Sequence, residues 1–327
     1  MGTLDDAPER DDALTPVRFV GRAAEIARAV EALHQGGSLV VRGKAGIGKR
    51  ALLGEVRQAL EREGRMICLW PSVATAKQMI ADLAEQTHNA IGLEVPERMI
   101  PPRFRAAAHR TGRIEFRHIK RTLLREPIAE QTELVMRVLR ERPDVVVFVE
   151  SLELAPTQAD ILHQLAEHVQ LAAAIEDTNR RHRIMRLLWR FQVVLELKAL
   201  SKDETRRWVS EWLREHPVEF ESPRVRKAFE TAVVRDSGGI PAAIDGMLAG
   251  ASAEREVTRS VVRRITHDAA TTYLDLTPLL ILCAAALMAL RYISRGMGVQ
   301  ELMVFAGVGT SVFWVILYFA RMMQSRR

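Results

Sequence analysis

Residues 43–50 read Gly-Lys-Ala-Gly-Ile-Gly-Lys-Arg. At this spacing, glycines let successive backbone N–H groups turn inward around a phosphate while a lysine reaches its outer oxygens. A short apolar run, 38–41, precedes the stretch and a helical pattern, 51–63, follows it, so the helix adds its positive N-terminus to the same anion. Gly43, Ala45, Gly46, Ile47, Gly48, Lys49, Arg50 and Ala51 are the candidate phosphate-binding residues, with ATP or ADP as the ligand. Position 50 departs from the pattern. A Ser or Thr there would bring a hydroxyl to Mg2+, whereas arginine has no acceptor atom. Either its guanidinium contacts the phosphates and replaces part of the metal charge, or it turns outward; in both cases Mg2+ loses a ligand.

A second constellation closes the apolar run Val-Val-Val-Phe-Val-Glu at 145–150. Glu150 stands where a metal-facing carboxylate is expected, and Ser151 where the residue that polarises an attacking water is expected. Serine is a poor base, and Glu153 substitutes for it only if the strand ends early. The alternative is a plain buried strand with a terminal carboxylate. Together the two motifs imply a nucleotide site with a weakened Mg2+ position and slow hydrolysis.

The elements that must hold these residues alternate. Ile26, Val30 and Leu33 mark a helix over 23–34, which Gly36 and Gly37 stop. Strands are expected at 38–41, 66–70, 144–149 and 169–175, separated by helices at 51–63, 76–86 and 158–167. That order predicts an α/β fold, a parallel sheet covered by helices on both faces. From Ser201 the pattern is helical only, opening with a Ser201/Glu204 capping box before Trp208 and Trp212. The expected organisation is a disordered acidic tail at 1–15, a nucleotide-binding domain at 16–200 and a small all-α lid at 201–268.

Composition sets bounds on this reading. The chain has 327 residues, 48% hydrophobic and 27% charged, an ordinary globular balance. Its two cysteines, Cys68 and Cys283, exclude a disulfide framework and a structural zinc. Residues 1–12 are acidic and lack an apolar core, so no secretory leader is expected. Segment 96–126 carries nine basic and three acidic residues, equal to the net charge of +6 of the whole chain. This basic insertion suits phosphates of a nucleic acid, an anionic leaflet or an acidic partner, or is simply a solvated Arg-rich segment. Residues 276–290 and 302–320 are free of charge, and about 20 apolar residues cross a bilayer. They are read as a two-helix transmembrane hairpin over 274–322, with a buried helical hairpin as the alternative. Arginines on both outer flanks place the N-terminal domain and the C-terminus in the cytoplasm, on the inner or cytoplasmic membrane, with the lipid bilayer as a partner.

Taken together, the motifs resemble the AAA+ and STAND-type P-loop ATPases, including origin-recognition-like and NB-ARC-like modules, over residues 18 to about 250. Phe19-Val20-Gly21-Arg22 with Glu25 is similar to the box that precedes the phosphate loop in that group and packs near the adenine. Gly238-Gly239-Ile240-Pro241 looks like the lid motif whose proline approaches the base, and the stretch 195–204 with Trp208 looks like the connection to that lid. The resemblance implies that Val20, Gly21, Arg22 and Pro241 join the nucleotide site, and that the lid closes on the phosphate-loop domain as a switch. It also implies a homo-oligomer or a separate sensor or effector as partner, and a sensor residue or arginine finger among Asn179, Arg180 and Arg181, which otherwise read as an ordinary loop. Two functions follow as expectations. One is a membrane-anchored nucleotide-dependent switch or signalling ATPase of weak hydrolysis. The other is a non-hydrolysing adaptor that tethers a cytosolic partner or nucleic acid to the membrane.

Overall fold

The computed structural model describes residues 21–111, 114–177 and 186–272. The chain divides into two units, 1–266 and 267–327, and the sheet, its helices and the site described below belong to the first. Five parallel strands form one sheet: β1 (Leu39–Gly43), β2 (Ile67–Leu69), β3 (Val145–Val149), β4 (Gln170–Glu176) and β5 (Val193–Glu196), in the order β2-β3-β4-β1-β5. β4 therefore lies between the strand that leads into the glycine-rich turn and the strand that ends at Glu150. In register, Val41 of β1 faces Ala174 of β4, and Ala173 of β4 faces Val149 of β3.

Alternate residues of each strand enter different cores, which explains why the strands read as continuous apolar runs. Leu39, Val41, Val146, Phe148, Ala172 and Ala174 meet Leu33 of α1 (Ala23–His34) and Leu52, Leu53, Val56 and Leu60 of α2 (Lys49–Glu63). Val40, Val145, Val147, Val149, Leu171 and Ala173 face the other way. There they meet α3 (Ala76–Ala90), α5 (Phe116–Leu123), α6 (Ile128–Leu139) and α7 (Pro156–Leu165), while α4 (Pro102–Thr111) precedes α5.

The Arg-rich segment is not a loose appendage. α5 buries Phe116, Ile119 and Leu123, an i, i+3, i+7 stripe, and turns Arg117, Lys120 and Arg121 outward. Part of its charge is also paired: Lys120 bonds Glu85 at 2.8 Å and Arg98 bonds Glu130 at 2.8 Å.

After β5 the described residues form four helices: α8 (Lys202–Glu215), α9 (Pro223–Asp236), α10 (Pro241–Ser252) and α11 (Arg259–Thr272). Ser201 caps α8 as its sequence predicts: its side chain accepts from the Glu204 amide at 3.2 Å, and Glu204 accepts from the Ser201 amide at 2.8 Å. Ser222 caps α9 with Pro223 at its first position. α8, α9 and α10, with the start of α11, form the all-α lid.

The expectation of a membrane anchor is corrected. Among the described residues no helix is long and apolar enough to cross a membrane. The longest, α2 and α3, have 15 residues and bury one face each against the sheet, which is shorter than the ~20 apolar residues a span requires. The hairpin read at 274–322 lies outside the described residues. The transmembrane helices, the lipid bilayer as a partner and the placement on the inner or cytoplasmic membrane rested on that hairpin and are withdrawn. Asn179, Arg180 and Arg181 also lie outside the described residues, as do Val20 and the acidic tail.

Candidate nucleotide site

β1 ends at Gly43 and α2 begins at Lys49, so the turn between them sits at the carboxyl ends of the strands, where parallel sheets offer ligand crevices. Ile47 anchors the turn: its side chain is buried in the core between the sheet and α2. Gly46 and Gly48 adopt left-handed angles of +71° and +92°. Gly48 is the N-cap of α2, and neither a capping side chain nor an acidic residue occupies the first turn. The first amides of that helix therefore remain available to an anion.

Lys49 donates to the carbonyls of Gly43 and Lys44 at 2.9 and 2.8 Å. Burial pulls its pKa below the ordinary lysine value, opposed by the negative charges of Glu176, Asp177 and Glu153. Glu176 ends β4 and approaches the amine to 3.9 Å. It was not anticipated from the sequence, and it reaches the turn only because β4 is inserted beside β1.

Arg22 is 4% exposed and donates to Lys198 O at 2.8 Å and Ile47 O at 3.4 Å. One guanidinium thus fastens the glycine-rich turn to the chain between β5 and α8. Beside it, Gly21 has φ +83°, and a Cβ there would lie 2.5 Å from Glu204 Oε1. Gly21 lets the capping carboxylate of α8 come close; it does not line the cavity.

The lid reaches the turn directly. The Ala242 amide donates to Gly46 O at 3.1 Å. Upstream, Gly239 (φ +73°) passes so close to Leu200 that a Cβ would stand 2.2 Å from the Leu200 carbonyl oxygen, and the Leu200 amide donates to Gly239 O at 2.9 Å. Only glycine fits that crossing.

These elements enclose a cavity of about 800 Å³, within the size range of small-molecule sites. Of the residues singled out in the sequence, it brings together Arg22, Gly46, Ile47, Gly48, Lys49, Arg50, Ala51, Glu150 and Pro241. Gly43, Ala45 and Ser151 do not line it. Ser151 is occupied locally, its hydroxyl accepting from the Glu153 amide at 3.1 Å and so shaping the turn after β3. Leu200, Trp208 and Asp245 enter from the lid side, and Gly54, Arg57 and Trp70 from α2 and the end of β2. Trp70 stacks on Phe148 with centroids 5.4 Å apart, and the Arg57 guanidinium lies 6.0 Å from its ring. Burial pushes the Asp245 carboxyl above its ordinary pKa. Leu200 and Trp208 belong to the stretch read as the connection to the lid, whereas Gly54, Arg57, Trp70 and Asp245 carried no local motif; Arg57 follows Arg50 by seven positions, two helical turns along the same face.

Arg50 is largely exposed, yet its side chain reaches the second motif. Its Nε lies 3.1 Å from Glu150 Oε2, so the guanidinium of one motif pairs with the terminal carboxylate of the other. The donor set consequently does not fit Mg2+. Position 50 offers no oxygen, and Glu150, the carboxylate at the end of β3, is paired with an arginine.

Residues 18–178 match the AAA ATPase domain family, a family that in general binds ATP or ADP with Mg2+. No functionally curated protein matches the sequence. Among solved structures, the chain is similar to the Orc1 protein of Aeropyrum pernix, determined in complex with DNA, at 17% identity and a TM-score of 0.53, covering 84% of this chain and 73% of that one. A Walker-type ATPase of Pyrococcus abyssi is similar at 14% identity and a TM-score of 0.47, covering 85% and 80%. The RuvB Holliday junction branch migration motor of Thermotoga maritima follows at 14% identity and 0.42, covering 85% and 78%. The likeness to the Orc1 structure concerns the fold alone: a parallel P-loop sheet with surrounding helices and an all-α lid.

Proposed function

We propose that the chain is a nucleotide-dependent switch of weak or absent hydrolysis. ATP or ADP lies in the cavity with its phosphates in the turn 43–49, and the helical lid over 201–268 responds to what the turn holds. The observation that carries this reading is the bond from Ala242 N to Gly46 O. It joins the lid to the backbone that would rearrange around a phosphate, so occupancy of one is felt by the other. Lys49 supplies the cation for the outer phosphates, and α2 supplies its amides. Pro241, Leu200 and Trp208 offer apolar surface for the rest of the nucleotide. Slow turnover follows from two features: the Ser151 hydroxyl is spent on the turn after β3, and Glu150 is paired with Arg50. The same two features favour a binding protein over an efficient ATPase.

The test is calorimetric titration of the full chain with ATP and with ADP. Binding is expected, and Lys49→Ala should weaken it on the order of 10–100-fold, the loss of one charge-assisted contact of about 1.5–3 kcal/mol. Absence of heat at millimolar nucleotide, or equal binding by the variant, would end this reading.

A further inference from the structure

The pairing of Arg50 with Glu150 has a specific chemical consequence at the phosphate end of the cavity. In a site built for the metal complex of a nucleotide, position 50 would give an oxygen ligand and Glu150 would hold the ion or its water. Here the carboxylate, 30% exposed, faces a guanidinium at 3.1 Å. A divalent ion entering beside Glu150 would have to displace that pair and stand next to a fixed positive charge. The donor set opposes the metal on both counts.

The same side chain supplies what the metal would have supplied. A guanidinium carries five N–H donors in a planar fork, remains charged at any physiological pH and suits phosphate oxygens. Its Nε approaches Glu150 Oε2 at 3.1 Å. The Arg50 side chain is 73% exposed and lines the same cavity as Lys49, one residue away at the start of α2. Of the other cations lining this cavity, Arg57 pairs with Glu61 at 2.6 Å and Arg22 gives its donors to backbone carbonyls, which leaves Lys49, 3.9 Å from Glu176, and the exposed part of Arg50 at the phosphate end. Two adjacent cations at the phosphate end, with no oxygen ligand at position 50, suit a metal-free polyphosphate better than its less negative Mg2+ complex.

We infer that the site takes the nucleotide as the free polyphosphate anion, with Arg50, held by Glu150, as a built-in replacement for the divalent cation. This rests on the nucleotide-binding reading above. It predicts that binding is insensitive to metal, in contrast to the family in general.

The experiment titrates the full chain with ATP in excess EDTA and again in excess MgCl2. Wild type should bind in EDTA at least as tightly as in Mg2+, to within about twofold. Arg50→Thr should lose about tenfold or more in EDTA, the equivalent of ~1.4 kcal/mol, and recover in Mg2+, because the threonine hydroxyl and the released Glu150 restore two oxygen ligands. Arg50→Lys keeps the charge and should retain most of the EDTA binding. Circular dichroism melts establish that each variant is folded, and Glu150→Gln provides a second route should Arg50→Thr fail to fold. It releases the guanidinium that Glu150 holds, so binding in EDTA should fall severalfold, and EDTA binding equal to wild type would show that the pair does not position Arg50 and would overturn the inference. Wild-type binding that appears only with Mg2+ would overturn the inference while leaving the nucleotide site intact. So would Arg50→Thr binding in EDTA as wild type does. No binding in either buffer would instead overturn the nucleotide reading and this inference with it.

Discussion

Replacing Gly239 by alanine tests whether the lid is held by the crossing at Leu200. Gly239 has φ +73°, and its neighbour Gly238 has φ +58°. An alanine at either position therefore adopts a left-handed conformation that costs about 1–2 kcal/mol. The two differ in surroundings. A Cβ on Gly238 meets nothing within 4 Å, whereas one on Gly239 would stand 2.2 Å from Leu200 O and 3.0 Å from Leu200 N. Both of those atoms are backbone and cannot swing aside. The strands of chain must part, and the bond from Leu200 N to Gly239 O at 2.9 Å is lost. Overpacking and one broken bond together add about 1–3 kcal/mol.

Gly238→Ala should then lower the melting temperature by roughly 2–8 °C and Gly239→Ala by clearly more, using about 2–4 °C per kcal/mol for a domain of this size. The functional readout is sharper. Leu200 lines the cavity and Ala242, three residues beyond Gly239, bonds the phosphate turn, so Gly239→Ala alone should also weaken ATP binding, by on the order of tenfold. Equal destabilisation by the two alanines, or wild-type affinity in Gly239→Ala, would refute the argument that this crossing sets the lid.

Two further outcomes are expected. Asp245 has its carboxyl pKa raised by burial above the ordinary 3.8, so stability is lost as pH rises from 3.8 through the folded value, above which the full penalty applies. Asp245→Asn should be more thermostable than wild type at pH 7, with the gap closing as pH falls toward and below 3.8; a gap independent of pH would point to a different cause. In phosphate-release assays the double change Arg50→Thr with Ser151→Glu should raise hydrolysis in Mg2+ although neither single change need do so, because losses within one catalytic unit are not additive. Wild-type turnover on the order of 1 s⁻¹, abolished by Lys49→Ala, would contradict the weak-hydrolysis reading.

What could be seen in the sequence was local. The glycine-rich turn, the buried run at Val145–Val149 and the Ser201/Glu204 cap each lie within ten residues, and each takes its expected backbone form. Elements whose pattern is short or overlaid escaped. β5 has four residues at the sheet edge, and the apolar stripe of α5 is hidden among arginines. Site residues brought in by topology escaped for a different reason. Glu176 depends on β4 lying beside β1, and Trp70 on the end of β2 facing α2. The resemblance placed Gly21 and Arg22 beside the base; what the structure adds is that Gly21 admits the capping carboxylate of α8, while Arg22 lines the cavity with its donors given to backbone carbonyls. The substitution at position 50 was plain from the sequence, but its partner was not: the pairing with Glu150 at 3.1 Å joins two motifs a hundred residues apart, which only the sheet brings together.

The couplings around the turn explain how a change at the phosphates would spread. Arg22 ties Ile47 O to Lys198 O, and Ala242 N ties Gly46 O to the first turn of α10. Two consecutive carbonyls of one glycine-rich turn are thus held from outside it, one by the chain leaving the sheet and one by the lid. An anion that draws the amides of this turn inward must rotate the same peptide units, which moves the carbonyls on their far side. Because Arg22 is buried and its burial disfavors an unpaired charge, that contact resists release. The Ala242 bond involves no buried charge and is the weaker tie. Movement at the turn would therefore be expressed first at α10, with the path through Lys198 acting as the fixed hinge.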